Sequence, residues 1–184
     1  MNRTAVRLAG SGGQGVVLGS VLLGEAALRQ GKWAACFHAF GPEARGGAAR
    51  ADVVIADGPL DYPVPREVDV LVALTQDAAD RYTPAVRAGG LVLVDSSRVA
   101  RVPSGPYRTL AVPVFRTARE AVGTETVGNV AALGLLCALT DLVAEDALRE
   151  AVRHRFRGNA GAQNLKALEV GVRLGHSLRE EAAG

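Results

Sequence analysis

The sequence predicts a single α/β domain: a Rossmann-like, mostly parallel sheet covered by helices on both faces. Three observations carry that expectation. Strand-like apolar runs alternate with helix-length segments along the 184 residues, the order from which parallel sheets are wound. Apolar residues make up 48% of the chain and aromatics only 4%, so the core is built from closely packed Ala, Val and Leu, as in strands buried on both faces. The first strand runs directly into Gly10-Ser-Gly-Gly-Gln-Gly15 and then into a helix, the opening of a βαβ unit. A chain of this length fills one such domain and leaves little room for a second core, so residues 1–184 are read as one domain.

The elements follow in order. Thr4 to Ala9 reads as a strand, and Val16 to Gln30 as a helix with Val17, Val21, Leu22, Ala26 and Leu28 broadly on one face. Gly31 is placed where a left-handed cap ends that helix. Lys32 to Phe40 is extended, Gly41 to Gly47 is a turn-rich loop, and Ala51–Ala56 and Val68–Leu74 are strands. A helix from Thr75 to about Arg87 is expected to end at Gly89-Gly90, and Leu91–Asp95 is the clearest buried strand. Tyr107 to Val114 offers a further strand interrupted by Pro113. Helices then dominate, at about Phe115–Val122, Val127–Leu142, Glu145–Phe156 and Gln163–Glu181.

The charge pattern excludes some function classes. Twenty-one basic and 19 acidic residues give +2 with no long block of one sign, so nucleic acid is not an expected partner. Cys36 and Cys137 lie far apart in apolar surroundings, which fits neither a disulfide framework nor a metal cluster and points to a reducing cytoplasm. His38, His154 and His176 are isolated and lack metal-ligand spacing. The start has no basic region followed by a long apolar run, and Val130–Leu139 is about half the ~20 residues of a membrane span. The expectation is a protein in solution, with no membrane contact.

Gly10, Gly12 and Gly15 match the G-x-G-x-x-G spacing, in which glycines allow a tight turn and bring backbone N–H groups toward an anion at a helix start. The alternative is that these glycines only permit close strand–helix packing. A dinucleotide site also needs a carboxylate at the end of the second strand, about 20 residues on. That stretch reads Ala35-Cys-Phe-His-Ala-Phe40, and no carboxylate comes before Glu43. An independent NAD(P)-binding oxidoreductase is therefore the weaker alternative function.

Gly10-Ser-Gly-Gly-Gln-Gly-Val16, Gly41-Pro-Glu-Ala-Arg-Gly-Gly47, Ala51-Asp-Val-Val-Ile-Ala-Asp57 and Asp61-Tyr-Pro63, in that order and spacing, resemble the gamma subunits of 2-oxoacid:ferredoxin oxidoreductases. Asn129–Gly134 and Asn164–Gly171 look like helical segments of the same family, so the resemblance spans nearly the whole chain, as a pyruvate/ketoisovalerate oxidoreductase gamma-type domain. The Pro-Glu-Ala-Arg-Gly-Gly form looks closer to the 2-oxoglutarate branch than to the pyruvate branch. Ser11 departs from the family, where a larger residue such as Phe is expected.

The resemblance implies a part in the CoA-dependent oxidative decarboxylation of a 2-oxo acid to an acyl-CoA, with reduction of ferredoxin. Thiamine diphosphate, magnesium and iron–sulfur clusters are expected in alpha and beta partner subunits, with a ferredoxin-like delta subunit as a further partner. This chain has no thiamine-binding Gly-Asp-Gly motif, and its two cysteines cannot supply four cluster ligands. No catalytic residue, metal ligand or cofactor bound by this chain alone is expected. The candidate binding residues are Gly10, Gly12, Gly13, Gln14 and Gly15 of the turn and Glu43, Arg45, Gly46 and Gly47 of the second loop. Arg45 offers paired N–H donors to a phosphate or carboxylate, with coenzyme A as the ligand; the alternative is an ion pair with Glu43 or a partner subunit. Asp95-Ser96-Ser97 and Asn164 with Lys166 are read first as turn and helix-start residues.

Overall fold

The structure, a computed structural model, describes residues 3–40, 47–61 and 64–183. Its elements are β1 (Arg3–Ser11), α1 (Val16–Arg29), β2 (Trp33–Phe40), β3 (Ala48–Ala56), β4 (Val68–Ala73), α2 (Gln76–Tyr82), β5 (Val86–Asp95), β6 (Arg108–Val112), α3 (Val114–Val122), α4 (Gly128–Thr140), α5 (Glu145–Arg155) and α6 (Gly158–Ala183). The six strands form one sheet in the order β2-β3-β1-β4-β5-β6. β4 pairs in parallel with β1 and β5, and β5 with β6, whereas β3 runs antiparallel to both β1 and β2. The sheet is thus mixed through β3 alone, and the α/β expectation holds.

Side chains alternate between two cores, one on each face. The larger gathers Val6, Leu8, Val53, Ile55, Val70, Val72 and Leu93 under α1, α3, α4, α5 and α6. The smaller gathers Ala5, Ala9, Val54, Leu71, Ala73, Val92 and Val94 under Ala78 and Ala79 of α2, with Leu60, Tyr82 and Tyr107 packed around it. Covering by the described residues is therefore unequal: a helical layer on one face and a single short helix on the other.

Inside the helical layer α4 and α6 lie nearly backbone to backbone, because glycine removes the side chains between them. A Cβ on Gly171 would meet the Ala131 carbonyl oxygen, and one on Gly134 the Leu168 carbonyl. α4 is buried along almost its whole length, from Gly128 to Ala138.

Several boundaries differ from the sequence expectation for identifiable reasons. The helix expected to reach Arg87 stops at Tyr82, and a 3-10 turn at Thr83–Ala85 carries the chain through Pro84, which has no N–H to continue a helix. Gly89-Gly90 lies inside β5 rather than ending a helix. Gly89 has φ +77° and the β4–β5 register shifts between Val68 and Val70, a bulge that glycine tolerates. α6 starts at Gly158 rather than Gln163: Gly161 is within the helix, where a Cβ would press on the Phe156 carbonyl at 3.0 Å. The apolar face of α1 is also rotated from the expected one. Leu22, Leu23, Ala26 and Ala27 are buried, while Val21 is 42% and Leu28 59% exposed.

Candidate functional site

β1, β2, β4, β5 and β6 all end at one edge of the sheet, and β3 begins there. At this edge the connections leaving β1 and β4 part company. α1 packs on the face with the helical layer and α2 on the other, which makes the β1–β4 crevice the switch point where open α/β sheets receive ligands.

The turn at this point is braced by its own residues. Strand β1 continues two residues into it, through buried Gly10 to Ser11. Gln14 folds back beneath: its Oε1 accepts from the Ser11 N–H at 2.7 Å, and its Nε2 donates to the Leu74 carbonyl at 3.5 Å. A Cβ on Gly10 would strike that Gln14 amide. Gln14, placed among the binding residues by the sequence, therefore bridges the end of β1 to the end of β4 across the crevice. Gly13 and Gly15 have φ of +92° and +73°, a region L-residues avoid. Gly15 is the N-cap of α1, and Asn129 of α4, 5% exposed, donates from Nδ2 to the Gly15 carbonyl at 3.1 Å.

The second glycine-rich segment meets the first. The Gly12 N–H donates to the Gly47 carbonyl at 2.8 Å, joining the turn to the base of the β2–β3 connection. Glu43, Arg45 and Gly46 lie outside the described residues. Beside this junction, on the α1 side, lies an open cleft of about 420 Å³ whose lining includes Gly12, Gly13, Val17, Val21, Ala49 and Arg155. Its wall is apolar. Its cation is Arg155, exposed at the end of α5 and without an ion-pair partner among the described residues. Arg155 was missed by sequence reading because nothing local sets it apart from Arg153 and Arg157; only the packing of α5 on α1 brings it to the turn.

The remaining candidates are structural. Asp95 is 2% exposed; its Oδ1 accepts from the N–H and Oγ of Ser97, and its Oδ2 from the Phe115 N–H at 3.2 Å. It thereby fixes the start of α3 against β5. Asn164 lies in the second turn of α6 and donates to the Ala160 carbonyl, while Lys166 is exposed. The three histidines stay apart: His38 bonds Ser20 Oγ at 3.0 Å, His154 pairs with Glu25 at 3.0 Å and His176 with Glu145 at 2.8 Å. No helix among the described residues is long and apolar enough to cross a membrane.

A further polar cluster was not expected from the sequence. Arg7 and Asp52, on neighbouring positions of β1 and β3, are 3% and 0% exposed. Arg7 donates from Nε and Nη2 to the two Asp52 oxygens at 2.7 and 3.0 Å, and its guanidinium lies 5.4 Å from the Tyr82 ring centre. Arg50, two residues before Asp52, approaches the same carboxylate at 3.5 Å.

Comparison with known proteins places this architecture. Residues 5–174 match the family model for pyruvate ferredoxin/flavodoxin oxidoreductase. The 2-oxoglutarate synthase subunit KorC of Methanocaldococcus jannaschii is 37% identical, with 96% of each chain covered. The ketoisovalerate oxidoreductase subunit VorA of Methanothermobacter thermautotrophicus is 38% identical over 91% of this chain but only 35% of its own length. Among solved structures, the keto/oxoacid ferredoxin oxidoreductase gamma subunit of Geobacter sulfurreducens superposes with a TM-score of 0.86 at 40% identity, covering 94% of this chain and 96% of that one. On these grounds the chain belongs to the pyruvate ferredoxin/flavodoxin oxidoreductase family, where it stands with the gamma subunits of 2-oxoacid:ferredoxin oxidoreductases.

Proposed function

We propose that this chain is the gamma subunit of a 2-oxoglutarate:ferredoxin oxidoreductase, and that its sheet edge holds coenzyme A for partner subunits that carry out the redox chemistry. The observation that carries the reading is the junction of the two glycine-rich segments, Gly12 N–H to Gly47 carbonyl, beside a cleft that offers backbone amides, an apolar wall and a guanidinium. The amides at the start of α1 point out of the helix and suit an anion. Arg155, and Arg45 of the segment joining β2 to β3, suit the phosphates, and Val17 and Val21 the less polar parts of the molecule. Alpha and beta subunits supply thiamine diphosphate, magnesium and the iron–sulfur clusters, and ferredoxin takes the electrons. The chemistry belongs to those cofactors, and this chain's own residues bind and orient.

An independent NAD(P) enzyme fits this geometry poorly. In a dinucleotide fold the strand beside β1 runs parallel to it and ends near the turn with an acidic residue. Here the neighbour is antiparallel β3, and its carboxylate Asp52 is occupied by Arg7. The test is steady-state kinetics of the assembled oxidoreductase carrying Arg45→Ala or Arg155→Ala. The Michaelis constant for coenzyme A is expected to rise about tenfold or more for loss of a charge-assisted contact of about 1.5–3 kcal/mol, with 2-oxoglutarate saturation unchanged. An unchanged constant in both variants would refute coenzyme A binding at this edge.

A further inference from the structure

β2 is one of the two outer strands of the sheet, and no strand protects its free edge among the described residues. It pairs with β3 over eight consecutive positions, from Trp33↔Ala56 to Phe40↔Ala49, with no bulge, and no strand pairs with its other edge among the described residues. Outer strands of stable monomers are usually short, twisted by bulges, or marked with Lys or Pro. Here the eight residues WAACFHAF include neither Lys nor Pro, and none of the described side chains is fully buried. One face of β2 lies on α1, where Cys36 and His38 reach Ser20. The opposite face carries Trp33, 50% exposed, then Ala35, Phe37 and Ala39, and no described helix covers it, since α2 packs on β1 and β4 instead.

The charge beside this face is unbalanced. Asp52 faces two guanidiniums, and both its oxygens already accept from Arg7. Arg50, opposite Ala39, meets Asp52 only through a buried Nε at 3.5 Å that makes no hydrogen bond; its guanidinium lies 5.9 Å from the Tyr82 ring centre, and its side chain is 31% exposed. A carboxylate is wanted there. A second copy pairing edge to edge could not supply one, because β2 contains no acidic residue. In VorA the matching region is about a third of a longer chain, so in that relative this domain is tied to further parts of the enzyme.

We propose that the β2 edge is a docking strand for a sibling subunit of the oxidoreductase, which adds an extended segment as a seventh strand and places an Asp or Glu on Arg50. Backbone pairing gives the affinity, and the Trp33, Ala35, Phe37 and Ala39 face with the Arg50 charge gives the selection. This rests on the reading of the chain as a subunit of that complex, yet it fails separately.

The test is hydrogen–deuterium exchange of the full chain, alone and in the co-expressed complex. Peptides spanning Trp33–Phe40 are expected to exchange more than tenfold slower in the complex. Assembly without that protection would overturn the docking strand and leave the subunit reading intact; failure of any assembly would overturn both. Protection already present in the isolated chain, with a dimer mass, would overturn the proposal in favour of a second copy. Arg50→Gln and Ala39→Lys should each weaken assembly about tenfold while the isolated chain keeps its thermal unfolding midpoint. Wild-type affinity in both variants would refute the role of this face.

Discussion

The Arg7–Asp52 pair is the most consequential residue-scale feature outside the site. It is a bidentate ion pair set in the sheet, roofed by Tyr82, and removing one member leaves a buried charge without its counterpart. Asp52→Asn is expected to lower unfolding free energy by about 3–5 kcal/mol, measured by urea denaturation, whereas the double change Arg7→Met with Asp52→Leu should cost far less. Equal losses in the single and double variants would contradict a buried pair. The thiols make a second case. Cys36 is exposed on β2, where partial desolvation of its Sγ against the Ser20 carbonyl pushes the thiol up, whereas full burial pushes Cys137 up further, with Glu145 and Asp141 adding. Because the thiolate is the reacting form, alkylation of the native chain should be slow at neutral pH and accelerate only as pH rises past the ordinary thiol range. Cys36 should react first, and Cys137 only on unfolding. A fast-reacting thiol at pH 7 would contradict both environments.

At the scale of elements, glycine decides how closely segments approach. Gly171 of α6 lies against the Ala131 carbonyl of α4, so Gly171→Ala forces the two helices apart. It should cost about 3 kcal/mol, the upper end for overpacking, and the thermal melt that reads it should show Gly31→Ala much milder. Gly31, unlike Gly171, has a positive φ but open space around it, so that change carries only the left-handed penalty of about 1–2 kcal/mol. The elements themselves were largely legible in the sequence, because alternating apolar runs and glycine turns are local signals. What was not legible came from tertiary contact. The buried face of α1 depends on which neighbours cover it. The direction of β3 is set by its pairing between β1 and β2. Gly89-Gly90 looks like a helix stop and the last helix looks as if it begins at Gln163, yet the structure places the first at a bulge and starts the helix at Gly158. At the site, the glycine turn was readable, but the inward fold of Gln14 and the arrival of Arg155 required the packed chain.

For the whole molecule, the two faces of the sheet divide the work. The helical layer buries most of the apolar surface, while the other face is thinly covered and, with the β2 edge, is the surface proposed to receive a sibling subunit. The glycine edge lies between them. In the proposed function the chain acts through its complex. The measurement that tests this most directly is ferredoxin reduction with 2-oxoglutarate and coenzyme A by the alpha and beta subunits, with and without this chain, and by this chain alone. Activity restored only when the chain joins its partners is the expected result; turnover by the isolated chain, or full activity of the partners in its absence, would contradict the account.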